Sequence, residues 1–368
     1  MSAPPDATAK KTPLHEIHRD LGANLVDFAG HLMPLRYGSE TAEHTAVRTS
    51  AGMFDLSHMG EIFLSGPGAA PALDYALVGN LSTLAVGRAR YTMICDAAGG
   101  VLDDLIVYRV AAETFLVVAN AANSDTVRSE LLARSEGYET AVDDRSESYG
   151  LIAVQGPRAQ EILARVSGAP LDELKYYAIM AGRVAAIDTL IARTGYTGED
   201  GFELFVANTE AVRLWRALTE AGGEDLRPAG LSARDTLRLE AGMPLYGNEL
   251  STETTPYDAG LGRVVKLDKP DDFVGKTAFA ALSQTPPGRT LVGLVTRGRR
   301  VPRHGYDVIT SDGTPCGVVT SGAPSPTLGH PIAMAYLNTG VDTTGLAVDI
   351  RGRPEPAELV NLPFYKRS

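Results

Sequence analysis

Residues 193–204 read RTGYTGEDGFEL, a glycine-rich loop that leads into an apolar strand. Glu203 is the only carboxylate in the run GFELFV at residues 201–206, where aromatic and aliphatic side chains surround it. Burying a charge without a partner costs free energy, so a half-buried acid here needs a hydrogen-bond donor. We therefore expect Glu203 to have a hydrogen-bonding or charged partner. A solvent-facing position at a sheet edge is the alternative.

Strands and helices are predicted on both sides of this loop. Apolar runs predict strands over residues 114–119 and 149–154, and helical patterns cover residues 125–135, 157–166 and 211–221. Pro157 suits a first helical turn, and Gly275-Lys276-Thr277 suits a helix start. Beyond residue 286, short strands and the Asp312-Gly313 turn predict a small all-β domain. The chain therefore has a mixed α and β part followed by an all-β part.

The length and composition of the chain disfavour several classes of function. The chain has 368 residues, of which 44% are hydrophobic, and its formal net charge is −11. That length predicts more than one domain, and that charge disfavours nonspecific binding to nucleic acid. No apolar run approaches the ~18 residues that a membrane helix needs. Two cysteines and seven histidines without an HExxH spacing predict no metal site and a reduced, cytoplasmic setting.

Two adjacent acids, Asp103 and Asp104, precede the apolar run LIVY. Neighbours in a strand point to opposite faces, so only one of the two can face a given pocket. Asp104 would share its face with Ile106 and Tyr108. A carboxylate there could move or orient a proton, although a turn-stabilising aspartate is the alternative.

Several further segments occur in a characteristic order along the chain. They are VDFAG (26–30), EHTAVR (43–48), AGMFDLSHMG (51–60), GGVLDDLIVY (99–108), VQGP (154–157), RTGYTGEDGFEL (193–204), ARDTLRLE (233–240) and SPTL (325–328). In this order they resemble the glycine cleavage T-protein family. His31, Ser232 and the pair Ala323-Pro324 depart from that pattern and put only local packing in doubt.

The resemblance implies a fold, a domain division and a reaction. The fold would be an α+β, three-domain cloverleaf with tetrahydrofolate in a central hole. Domain 1 would comprise residues 1–58 and 148–233, domain 2 residues 59–147 and 234–285, and the C-terminal β domain residues 286–368. The reaction would release ammonia from the aminomethyl-dihydrolipoyl arm of H-protein. It would transfer the carbon to tetrahydrofolate as 5,10-methylenetetrahydrofolate, without a bound metal or pyridoxal phosphate.

The resemblance also implies roles for individual residues. Asp104 would be catalytic, and folate would contact Glu203, Arg234, Tyr91, Tyr108, Tyr196, Tyr246 and Met59. Ser232 resembles a capping-box residue, which would place Arg234 in a first helical turn. Its partner would be folate or, alternatively, an acid such as Glu240.

The basic loop that contains Arg297, Arg300 and Arg303 has a separate interpretation. H-proteins are acidic, so two negative proteins would repel each other without a local positive patch. The resemblance implies H-protein docking at Arg300, with Arg297 and Arg303 as neighbours, and a solvated loop is the alternative. Two other functions stay open: a related folate-dependent demethylase, and a noncatalytic folate-binding protein.

Overall fold

The computed structural model describes residues 9–367. The strands are β1 (Lys10–Lys11), β2 (Asn24–Phe28), β3 (His31–Arg36), β4 (Ala51–Asp55), β5 (Gly60–Ser65), β6 (Ala89–Cys95), β7 (Val101–Ala111), β8 (Thr114–Ala119), β9 (Ala141–Asp144), β10 (Tyr149–Gln155), β11 (Ile179–Val184), β12 (Ile187–Ala192), β13 (Gly201–Ala207), β14 (Leu226–Pro228), β15 (Arg289–Thr296), β16 (Asp307–Ile309), β17 (Pro315–Pro324), β18 (Pro331–Asn338), β19 (Ala347–Asp349) and β20 (Pro354–Val360). The α-helices are α1 (His15–Asp20), α2 (Glu40–Thr49), α3 (Ala69–Ala76), α4 (Ser124–Arg134), α5 (Ala159–Ala164), α6 (Ala211–Gly222), α7 (Leu231–Glu240) and α8 (Lys276–Leu282).

Contacts divide the chain into two compact units. Of the described residues, the first unit contains 9–73, Leu81–Tyr91 and Leu105–Asp235. The second contains Asp74–Asn80, Thr92–Asp104 and 236–367. The chain therefore crosses from one unit to the other within β6 and again within β7. The three-domain boundaries given above stay a prediction.

A six-stranded sheet in the first unit has the order β11-β12-β13-β10-β4-β14. One face of β13 contributes Phe202, Leu204 and Val206 to a buried core, which α6 covers with Leu214 and Trp215. Glu203 belongs to the alternate set of side chains on β13. Because side chains alternate along a strand, the core residues on either side of Glu203 direct its carboxylate away from that core.

Two smaller sheets complete the mixed α and β part. The strands β6-β7-β8-β5-β9 form a five-stranded sheet, and β1-β3-β2 form a three-stranded one. Along β7 the odd-numbered residues from Val101 to Val107 are buried, whereas Leu102, Asp104 and Ile106 are half-buried. Both acids thus lie inside the strand and face opposite ways, as their alternation predicts.

The C-terminal strands close into a six-stranded barrel in the order β15-β18-β17-β16-β19-β20. Its interior contains Leu294, Val308, Val319, Leu337 and Val348. Closure pairs every strand on both edges, so no edge is left to pair with another chain. The prediction of mixed α and β structure followed by an all-β domain is confirmed. No helix among residues 9–367 is long and apolar enough to cross a membrane.

The predicted elements match to within about two residues, but two interpretations of helix starts are wrong. Helix α5 begins at Ala159, so Pro157 lies in the preceding turn rather than in the first helical turn. Helix α7 begins at Leu231, which places Ser232 inside the helix. The capping-box interpretation of Ser232 is therefore wrong.

Candidate functional site

Small residues flank Glu203 on both neighbouring strands. Its partner on β10 is Ala153, and its partner on β12 is Ala192. Cross-strand neighbours have Cβ atoms about 4.5–5.5 Å apart, so larger side chains would crowd the carboxylate. Glu203 is half-buried, which keeps its carboxylate accessible to a ligand.

Two hydroxyl groups contact the same oxygen of Glu203. The Thr194 hydroxyl donates a short hydrogen bond to Oε2, and the Tyr108 hydroxyl lies 3.2 Å from the same atom. The two hydroxyls are 2.8 Å apart. Burial, followed by the nearby Glu203 carboxylate, raises the pKa of Tyr108 well above its usual value. Tyr108 therefore stays protonated and acts as a donor. It is fully buried and presents only its hydroxyl to this cluster.

The loop between β12 and β13 is held by buried polar side chains. Gln155 donates to the Thr194 carbonyl at 3.0 Å, and its Oε1 accepts from the Thr197 hydroxyl at 3.0 Å. Arg48 donates to the Thr197 carbonyl at 2.7 Å and to Glu199 at 2.8 Å. Hydrogen bonds to charged groups contribute about 1.5–3 kcal/mol each, so this loop has one well-defined conformation.

Arg234 lies over an aromatic ring of this loop. Its guanidinium carbon is 4.7 Å from the centroid of the Tyr196 ring, and such a cation–π contact contributes about 0.5–2 kcal/mol. At the start of α7, the Gly230 N–H donates to buried Glu43 at 2.9 Å. A carboxylate at a helix N-terminus is favourable, so Glu43 stabilises the start of α7.

His58 and Met59 follow the buried strand β4. His58 is 5% exposed, and its Nδ1 has no hydrogen-bond partner among the described residues. Burial, followed by the charge of Arg234, lowers the pKa of His58 to about 3. The ring is therefore neutral at physiological pH. Met59 and Tyr91 are half-buried in the same unit, so each exposes surface that a ligand could contact.

The second unit contains Asp104 and Tyr246. Asp104 is half-buried, whereas Asp103 is completely buried. Burial, followed by the charges of Asp103 and Asp104, raises the pKa of Tyr246. Both acids are therefore close enough to act on the Tyr246 hydroxyl. Of the two, Asp104 is the one that a substrate can reach.

A cleft of about 520 Å³ opens on the barrel. Four arginines line it, together with three less polar residues: Arg300, Arg303, Arg351, Arg353, Val301, Tyr306 and Ile350. Arg300 is 4.0 Å from Glu355, and Arg303 donates to the Gly322 carbonyl at 3.3 Å. Arg297 does not line the cleft and pairs with Glu358 at 3.2 Å. Of the three arginines in the basic loop, Arg300 and Arg303 therefore line the cleft, and Arg297 forms an ion pair at the surface.

Comparison with known proteins decides the family. Residues 14–269 match the GCVT N-terminal domain, and residues 289–366 match the glycine cleavage T-protein C-terminal barrel domain. The chain belongs to the glycine cleavage T-protein family.

Individual members of the family are similar over their full length. An aminomethyltransferase of Saccharopolyspora erythraea is 60% identical and covers 98% of this chain and 100% of its own. One from Streptomyces avermitilis is 61% identical over 97% of this chain and 98% of its own. The solved glycine cleavage system aminomethyltransferase T of Bartonella henselae superposes with a TM-score of 0.91 at 38% identity, over 97% and 98% of the two chains. The chain is accordingly an enzyme of the aminomethyltransferase type.

This T-protein family member has functional candidates that sequence reasoning missed. They are Thr194 and Gln155 beside Glu203, and Arg351 and Arg353 in the cleft. The first two lie inside the shared segments, and that position was the signal that could have identified them. The two cleft arginines lie outside those segments and far along the chain from the basic loop. No group of three potential metal ligands occurs among residues 9–367.

Proposed function

We propose that this aminomethyltransferase takes its one-carbon unit from the aminomethyl-dihydrolipoyl arm of H-protein and transfers it to tetrahydrofolate. The C–S and C–N bonds of the aminomethyl group break, and the carbon forms bonds to N5 and N10 of the folate. One of the two displaced N–H protons goes to the departing ammonia and the other to the thiol. The products are ammonia, reduced H-protein and 5,10-methylenetetrahydrofolate, so the reaction requires no oxidant. A cytoplasmic location stays a prediction.

The observation that carries this proposal is the oriented carboxylate of Glu203. The Thr194 hydroxyl donates to Oε2, the Tyr108 hydroxyl lies against the same side of the carboxylate, and among the described residues Oε1 receives no hydrogen bond. A pterin ring presents an amino group and a ring N–H side by side, which a carboxylate can accept together. Charge-assisted bonds of this kind are about twice as strong as neutral ones. Tyr196 and Arg234 would add an aromatic face and a positive charge for the rest of the folate.

Asp104 would act on the reacting nitrogen of the folate. Its carboxylate is accessible, and the neighbouring Tyr246 hydroxyl, protonated at neutral pH, could donate a hydrogen bond to substrate. Positioned acid–base groups contribute about 10²–10⁴-fold in rate. We expect Asp104 to affect turnover, and Glu203 to affect folate binding.

The test is methylenetetrahydrofolate formation from aminomethyl-loaded H-protein and tetrahydrofolate. Asp104→Asn should lower kcat at least about tenfold with little change in the Kd for tetrahydrofolate, because it removes only the ionisable group. Glu203→Gln should weaken tetrahydrofolate binding about 10–100-fold, because it replaces a charged acceptor. Asp342→Asn, at an exposed turn of the barrel, is the matched control.

The outcomes separate the competing functions. Tight folate binding without turnover of loaded H-protein would instead favour a demethylase or a noncatalytic folate-binding protein. Equal turnover in wild type and Asp104→Asn would keep the function and remove Asp104 from the catalytic role.

A further inference from the structure

Thr194 connects Glu203 to a buried network that the proposed reaction does not itself use. Thr194 is 1% exposed, and its hydroxyl contacts both Glu203 and Tyr108. A hydroxyl has one proton to donate and two lone pairs that accept. Because Thr194 donates its proton to Glu203, the Tyr108 hydroxyl must donate in the Tyr108–Thr194 contact. The bonds therefore run in one direction, from tyrosine to threonine to carboxylate.

Thr194 is itself held by Gln155, which leaves it little freedom. Gln155 is 1% exposed and bonds both the Thr194 carbonyl and the Thr197 hydroxyl. Its amide packs between two glycines. A Cβ at Gly195 would lie 2.0 Å from Gln155 Oε1, and a Cβ at Gly201 would lie 2.5 Å from its Nε2. Any larger residue at either position would displace the Gln155 side chain and, through it, Thr194.

We propose that Thr194 is a positioning residue that sets the orientation of the Glu203 carboxylate toward a ligand with two adjacent N–H donors. This inference rests on the proposed folate-binding role of Glu203. The Thr194 hydroxyl occupies one side of Oε2 and stabilises the ionised carboxylate. The remaining lone pairs then point in one direction, so binding does not require the side chain to lose rotamer freedom. Preorganisation of this kind increases affinity without any new contact to the ligand.

The test compares Thr194→Val with Thr194→Ser by calorimetric titration with tetrahydrofolate. Valine has nearly the shape of threonine but lacks the hydroxyl, and we expect it to weaken binding about tenfold, in the range seen for residues that orient other ligands. Serine keeps the hydroxyl and should restore binding to within about twofold of wild type. Thr189→Val is the matched control, because Thr189 is also buried in this unit but its hydroxyl bonds, among residues 9–367, only the Ile187 carbonyl.

A further readout separates positioning from a merely structural role. In a Glu203→Gln background, Thr194→Val should change the Kd less than about twofold, since the effect acts through Glu203.

Each result decides the question. Wild type that binds no tetrahydrofolate would refute the proposed function, and this inference with it. Wild type that binds, with Thr194→Val and Thr189→Val equally weak or equally unaffected, would refute the inference alone. Failure of Thr194→Ser to restore binding would also refute it.

Discussion

At the scale of single residues, Glu61 on β5 is a buried acid outside the candidate site. It is 1% exposed, and neither carboxylate oxygen has a hydrogen-bond partner among the described residues. Burial, followed by the charge of Asp144, raises the pKa of Glu61 well above its usual value. A carboxyl group in this setting keeps its proton to a higher pH in the folded protein than in the unfolded chain.

This difference predicts a pH-dependent effect of Glu61→Gln. Because the pKa of Glu61 is raised by folding, its contribution to stability is fully present below the pKa of a glutamate in the unfolded chain, which is about 4.3. That contribution is lost as the pH rises toward the pKa of Glu61 in the folded protein. Glutamine does not titrate. We therefore expect the free energy of unfolding of Glu61→Gln, relative to wild type, to increase by about 1–3 kcal/mol between pH 5 and pH 8.

Urea denaturation across that pH range measures the effect. Glu113→Gln is the control, because Glu113 is exposed next to β8 in the same unit. Parallel pH profiles for wild type and Glu61→Gln would show that Glu61 is ionised or solvated in the folded protein, against this account.

At the scale of elements, Lys269 holds the segment that follows α3. Its ammonium group donates to the carbonyls of Asp74, Leu77 at 2.6 Å and Gly79 at 3.0 Å, all within the second unit. The same group lies 3.9 Å from the centroid of the Phe273 ring. Lys269 is 4% exposed, so these carbonyls have no ready access to water as a substitute donor.

We expect Lys269→Met to destabilise the second unit by about 2–4 kcal/mol. The methionine fills most of the volume but leaves three carbonyls without their donor, and each unsatisfied buried group costs about 1–3 kcal/mol before relaxation. Lys276→Met is the matched control. Lys276 bonds two carbonyls in a less buried setting, so its loss should cost under about 1 kcal/mol.

Native-state hydrogen exchange of the segment 74–80 provides the local measurement. Loss of protection there in Lys269→Met but not in Lys276→Met is the expected result. Equal protection in both variants would mean that the three carbonyls find other donors when Lys269 is replaced.

At the scale of the whole molecule, a net charge of −11 coexists with a cleft lined by four arginines. Arg351 occupies a left-handed backbone conformation with φ 58°, in a turn that the Ile350 N–H closes onto the Arg353 carbonyl at 3.1 Å. A residue other than glycine or asparagine costs about 1–2 kcal/mol there. The cleft arginines form a positive patch on a negative molecule, which is the kind of surface that the proposed docking of H-protein requires.

We expect Arg303→Glu and Arg353→Glu to raise the KM for H-protein about tenfold each. The KM for tetrahydrofolate should stay constant, because reversing a charge at a docking surface slows association with an acidic partner. The difference from wild type should shrink at 0.5 M salt, where the Debye length falls to about 4–5 Å. Arg183→Glu, on the exposed strand β11 of the first unit, is the control.

Steady-state kinetics at two salt concentrations measure this effect. A KM for H-protein that is unchanged in both cleft variants would assign docking elsewhere. A KM for H-protein that rises in Arg303→Glu but not in Arg353→Glu would restrict docking to the basic loop and exclude the turn that contains Arg353.

The sequence predicted correctly the elements whose bounds depend on residues close together in the chain. Strand β8 has the predicted bounds because TFLVVA is an uninterrupted apolar run between turn residues. Helix α5 starts two residues later than predicted, because backbone N–H groups of the preceding turn bond to residues that are distant in sequence. The Gly156 N–H bonds the Asp200 carbonyl, and the Arg158 N–H bonds the Ser50 carbonyl. No sequence pattern within residues 156–159 indicates those hydrogen-bond partners.

The amino-acid sequence by itself determined the family, the mixed and all-β parts, and the residue types at the candidate site. Glu203 could be singled out because a carboxylate inside an apolar strand is visible in a single segment. Only the tertiary structure decided what holds that carboxylate. Thr194 and Tyr108 are 86 positions apart, and Gly230 and Glu43 are 187 apart. Hydrogen bonds depend on distances of about 3 Å in space, which separation along the chain does not reveal.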